Sequence, residues 1–112
     1  MKLWTKELEQ RAIQHPLGSQ GENGMDAEVI VKFFNPYGRG VWLITEAKKQ
    51  ANGDWLLFGY CHIFAWECGS VLLSDLQRIK IDIYGCKLGL ERDLFAGKHP
   101  TVTDLVFQLS AS

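Results

Sequence analysis

The sequence predicts an α+β domain: a strongly bent antiparallel sheet of about five strands, with an N-terminal and a C-terminal helix packed against it. Three observations carry this. Between Val29 and Phe64, the runs VIVKFF, VWLITEA and WLLFGYCHIF are rich in Val, Ile, Leu and aromatics and alternate with the turns NPYGRG and KKQANGD. Such runs, separated by Gly- and Asn-bearing turns, mark consecutive antiparallel strands. Sustained helical spacing of apolar residues shows near the two ends. No repeat, low-complexity tract or linker divides the 112 residues, so residues 1–112 read as a single domain with enough chain for its own core.

Taken in order, Leu3 to Gln14 predicts a helix. Thr5 can accept backbone N–H bonds as N-cap, Lys6 to Gln10 are good helix formers, and Trp4, Leu8 and Ala12, with Ile13 beside them, share one stripe. His15-Pro16 ends it, because the residue before a proline is pushed out of the α region. The stretch LGSQGENGMD (17–26) holds three glycines and little to bury, which predicts a mobile loop. Val29 to Phe34 is apolar on both faces and suits a strand inside the sheet. Asn35-Pro36-Tyr37-Gly38 is a turn, with Pro presetting φ at its second position.

The second strand puts Trp42 and Ile44 in phase with Glu46. Asn52-Gly53 signals a hairpin into Trp55–Phe64, and Gly59 marks a bulge or a bulky neighbour in that strand. Trp66 to Leu73 predicts a fourth strand. Ser74-Asp75-Leu76-Gln77 has the form of a capping box opening a short helical turn. Ile79, Ile81 and Ile83, interleaved with Lys80, Asp82 and Tyr84, then predict a half-buried strand. Gly85 to Leu94 reads as a loop. Pro100-Thr101 opens the last helix, with Thr101 or Thr103 as cap and Val102, Leu105, Val106 and Leu109 on its apolar side.

Composition narrows the function classes. Hydrophobic residues make up 46% and charged residues 22%, and the net charge is −1. A field that weak does not steer the chain toward nucleic acid or anionic lipid. No apolar run approaches the roughly 18 residues a membrane helix needs. MKLWTKELEQ lacks the apolar stretch of a signal peptide, and Cys61, Cys68 and Cys86 are odd in number without a C-x-x-C pair. The expectation is a cytoplasmic protein with free thiols.

Among residues that could carry chemistry, the carboxylates Glu46, Glu67, Glu91 and Asp93 come first, since two carboxyl groups in a cleft can divide acid and base roles. A buried Glu46 needs a partner, and Arg92 is the natural one. That pairing reads first as a structural link tying the late loop to the sheet, then as a ligand site, and last as catalysis. Cys61 and His62 are strand neighbours pointing to opposite faces, and the other Cys and His lack zinc spacings, so no metal or cofactor is expected. A Cys–His nucleophile pair has no local signature. No phosphate-binding glycine motif occurs. Arg39, Lys48 and Lys49, with Tyr37 and Trp42 for stacking, are the candidate nucleic-acid contacts. Trp42, Trp55, Trp66 and Tyr60 are many aromatics for so short a core, which points to a protein partner or to self-association, with a dimer as one form.

MKLWTKEL, VKFFNPYGRGVWLITEA, FGYCHIFAWECGSVLLSDL and GLERDLF together resemble a family of small bacterial proteins catalogued as domain of unknown function 2958, met mostly on plasmids, phages and other mobile elements. The likeness spans most of the chain, with the blocks in the family's order. It departs from the family at Cys68 and Ser70-Val71, where an apolar residue and an aromatic are more typical, and is short between Gln50 and Asp54. The resemblance implies no activity, cofactor or ligand. It does supply a short set of polar and aromatic positions in the matched blocks, Trp42, Glu46, Glu67, Arg92 and Asp93, which are the candidate ligand-binding residues. The expectation is therefore a non-enzymatic accessory protein that contacts another protein. An enzyme or ligand binder using Glu46, Glu67 and Arg92 is the alternative, and a nucleic-acid binder the third reading.

Overall fold

The computed structural model describes residues 1–111, with side chains through Val106. Helix α1 (Lys6–Ile13) starts where Thr5 accepts the Leu8 N–H, as its sequence requires. Leu3 and Trp4, placed in this helix by their spacing, precede it and are buried; Ile13, placed on its apolar stripe, is 70% exposed. Strands β1 (Val31–Phe34), β2 (Val41–Lys49), β3 (Trp55–His62) and β4 (Trp66–Leu72) follow through tight turns. Then come α2 (Leu73–Arg78), β5 (Ile81–Ile83), β6 (Cys86–Leu88), β7 (Glu91–Arg92) and α3 (Val102–Ala111).

The main sheet is antiparallel, five-stranded and ordered β4-β3-β2-β1-β7. Its fifth strand is not the predicted isoleucine strand. Among the described residues Ile81–Ile83 pairs only with Cys86–Leu88 in a separate hairpin, and Glu91–Arg92, read as loop, joins β1 instead. Isoleucine alternation specifies a half-buried strand but not which neighbour it pairs with.

One sheet face packs Val31, Phe33, Ile44, Ala47, Trp55 and Leu57 against Leu3, Trp4, Leu8 and Ala12 near α1 and Leu73 and Leu76 of α2. The opposite face sets Leu43 against Val102 and Leu105 of α3, together with Ala27 and Val29. Full burial of each Val, Leu, Ile or Phe among them contributes roughly 1.5–3 kcal/mol. α3 opens with Thr101 accepting the Asp104 N–H while Asp104 accepts the Thr101 N–H, a reciprocal cap. Thr103, the other cap candidate, donates to the Met25 carbonyl instead. Leu109 lies outside the residues whose side chains are described.

The box expected at Ser74 does not form. The helix begins one residue earlier, so Ser74 sits inside its first turn, where its N–H and hydroxyl donate to Asp54 from the β2–β3 turn. These bonds, with the Trp55 N–H, hold the Asp54 carboxyl below its usual range.

Candidate functional site

A single extra residue decides where Glu46 points. The β2–β3 register runs Ile44↔Gly59 and then Glu46↔Phe58, leaving Thr45 unpaired as a bulge. The bulge sits opposite Gly59, where a Cβ would lie 1.9 Å from the Leu43 carbonyl oxygen. Gly59 thus faces a bulge in the partner strand and its backbone carbonyl, not a large side chain. Past the bulge Ala47, not Glu46, returns to the face of Ile44, so Glu46 turns to the α3 side and out of phase with Trp42.

There Glu46 is 4% exposed, and its two oxygens accept from the Gly18 and Gln20 N–H groups at 2.7 and 3.0 Å. Arg92 is not its partner; that guanidinium donates to the Lys2 carbonyl. The segment expected to be mobile is what covers Glu46. Gln20, 6% exposed, bonds the backbone of Glu28 on both sides and the Thr45 carbonyl. Buried backbone and amide groups must find partners, and here a glycine-rich segment and a bulged strand supply them to each other.

Next to this clamp lies a cluster absent from the sequence reading. Glu28 bonds the His15 imidazole at 2.8 Å and the His99 imidazole, with Arg11 3.9 Å away. Burial works to raise the Glu28 carboxyl, but the bonds and positive charge of His99 and His15 outweigh it and hold the carboxyl below its ordinary range. The three residues are far apart in sequence, and no local spacing could have joined them. Among the described residues, no group of three His, Cys, Asp or Glu side chains is placed to hold a metal ion.

The remaining candidates do not converge. Glu67 lies on β4 and Arg92 on β7, at opposite edges of the five-stranded sheet. Four inter-strand steps separate those edges, about 19 Å along a flat sheet. Asp93 pairs with Lys32 at 3.2 Å. Arg39 and the Lys48-Lys49 pair occupy opposite ends of β2, so the three bases form no continuous stripe.

Trp42 and Glu67 do share a surface. With Ile44, Cys61 and Val71 they line a depression of about 270 Å³ over the paired glycines Gly59 and Gly69. Cys61 lies directly across from Glu67, and burial followed by the Glu67 charge pushes its thiol up, so it is held as a neutral thiol.

The β1–β2 and β3–β4 turns lie at one end of the sheet, since Val41 pairs with His62. Phe64 is 80% exposed there, with Arg39 stacked 5.2 Å above its ring and Ile63 and Tyr37 also exposed. Arg39, Val41, His62, Ile63 and Phe64 frame a hollow of about 470 Å³. Of the tryptophans, Trp4 and Trp55 are buried against each other at 5.3 Å and Trp42 and Trp66 are half-buried, so the outward aromatics at this end are Phe64 and Tyr37. For Phe64, its position in a short apolar turn, Ile63-Phe64-Ala65, was the available signal.

No helix among the described residues is long and apolar enough to cross a membrane. All three cysteines are free thiols. No curated protein and no solved structure gives a significant match to the chain. A family model described as "Protein of unknown function (DUF2958)" matches residues 3–107. With nearly its whole length matched, the chain belongs to the DUF2958 family.

Proposed function

We propose that the chain is a non-enzymatic binding module of the bacterial cytoplasm, an accessory protein of mobile genetic elements that works by contacting another protein. The observation that carries this is the turn end of the sheet, where Phe64 stands in water under the Arg39 guanidinium. An exposed ring beside an arginine, over a hollow, is the residue chemistry on which protein interfaces concentrate their binding free energy. Two carboxylates and a thiol support the same reading: Glu46 is consumed by backbone bonds, Asp93 by Lys32, and Cys61 is a neutral thiol.

The test is affinity capture from the native host, followed by titration of each captured protein in purified form. A true partner binds the wild type and loses roughly tenfold or more with Phe64→Ala or Arg39→Ala. Equal binding by these variants would remove the turn end from consideration.

The Trp42–Glu67 depression supports a second reading, a small-ligand site. It is smaller than most ligand pockets and would take a compact cation with an apolar face. Trp42 fluorescence titrated with quaternary ammonium ions should respond, and Glu67→Gln should abolish the response; a flat titration removes this reading.

A further inference from the structure

The two edges of the main sheet differ sharply. β7 is two residues long, whereas β4 presents seven, and no strand among the described residues pairs with its outer side. Edge strands are normally guarded by charged side chains, above all Lys, by Pro or by a bulge. β4, Trp66-Glu67-Cys68-Gly69-Ser70-Val71-Leu72, has one charge in seven residues, Glu67, and neither Pro nor bulge; its pairing with β3 runs through all seven positions without a slip. Glu67 to Ser70 are all exposed.

We infer that this edge pairs antiparallel with the β4 edge of a second copy of the chain, joining two five-stranded sheets about a two-fold axis at Gly69. The occupant follows from the strand itself. Its seven residues centre on Gly69, so full-length pairing sets Gly69 against its own copy, where no side chains collide. Cys68 then faces Ser70, Glu67 faces Val71, and Trp66 lies over Leu72 on the α3 side. Glu67 is the strand's only charge, and it never meets itself. With a net charge of −1 per chain, no strong repulsion opposes the approach. An isologous contact of this kind closes on itself and gives a dimer rather than a fibre. Pairing one strand per chain is a small interface, so the dimer dissociates on dilution. The antiparallel arrangement points the two Phe64 turn ends in opposite directions, so each dimer offers two separate partner surfaces.

Sedimentation equilibrium across a concentration series tests this, with circular dichroism to check folding. The wild type is expected to dimerise reversibly. The double variant Cys68→Lys/Ser70→Lys, which opposes like charges across the axis, should weaken dimerisation roughly tenfold or more. Mixing it with Cys68→Glu/Ser70→Glu should restore a dimer containing one chain of each. If the double variant fails to fold, Ser70→Lys alone should still weaken the dimer. A wild type that stays monomeric at about 1 mM overturns the inference, as does a dimer indifferent to these charges. Neither result touches the turn-end reading, which stands or falls on Phe64→Ala and Arg39→Ala.

Discussion

Glu46 and Glu67 flank the same strand, β3, yet they live in different solvents. Glu46 has both oxygens filled by backbone N–H groups and a loop folded over it; Glu67 stands in water on an edge strand. A carboxylate whose acceptors are already occupied by its own chain acts as a fastener, because any ligand would first have to displace both of those bonds. One left solvated beside unpaired backbone is free to take part in recognition. The molecule is divided accordingly. The Glu46–Gln20–Glu28 side holds the loops and α3 in place, and the β4 edge with the turn end faces outward.

The contrast can be broken most severely at Gly59. Adding a methyl group there by Gly59→Ala drives Cβ into the Leu43 carbonyl oxygen, and the bulge that aims Glu46 has to shift. Urea denaturation should show a loss of roughly 3 kcal/mol or more. A neutral or stabilising effect would mean that the strands do not approach this closely.

Glu46→Gln keeps the shape but offers one acceptor where two N–H groups need them, and should cost about 2 kcal/mol. Amide exchange at Gly18 and Gln20 should rise together, since one carboxylate holds both. Exchange that rises at only one of them would show that the clamp is not shared.

A smaller effect is expected at Glu28, and it depends on pH. Its folded carboxyl lies below the ordinary value of 4.5, so its contribution is complete above that range and fades as pH falls through the lower folded value. Glu28→Gln should therefore narrow its stability gap to the wild type on acidification. A gap that stays constant or widens down to acid unfolding would contradict the bonds from His15 and His99.

The least effect on stability belongs to Glu67→Ala, within about 0.5 kcal/mol because the residue is exposed and, among the described residues, has no ion-pair partner. A larger loss would make Glu67 a fastener too and erase the distinction between the two sides.

Much of the fold could be read from short stretches of chain. Thr5 and Thr101 cap their helices, Asn52-Gly53 turns the hairpin, and the strands of the middle third form almost where alternation put them. In each case the deciding partners lie within a few residues, so composition and spacing contain the information. The site was less legible. Phase counting set Glu46 beside Ile44, and one bulged residue reversed it; polarity made residues 17–26 look loose, although their N–H groups are what Glu46 requires.

The sequence by itself determined the periodicities, the caps and turns, and the near-neutral charge, because these depend on neighbours along the chain. Only the tertiary structure decided that Asp54 caps α2, that Glu91–Arg92 displaces the isoleucine strand at the sheet edge, and that His15, Glu28 and His99 meet. Those choices join residues distant in the chain, and many alternative pairings suit the same local pattern. Packing of the whole core selects among them, and no short window of sequence contains that comparison.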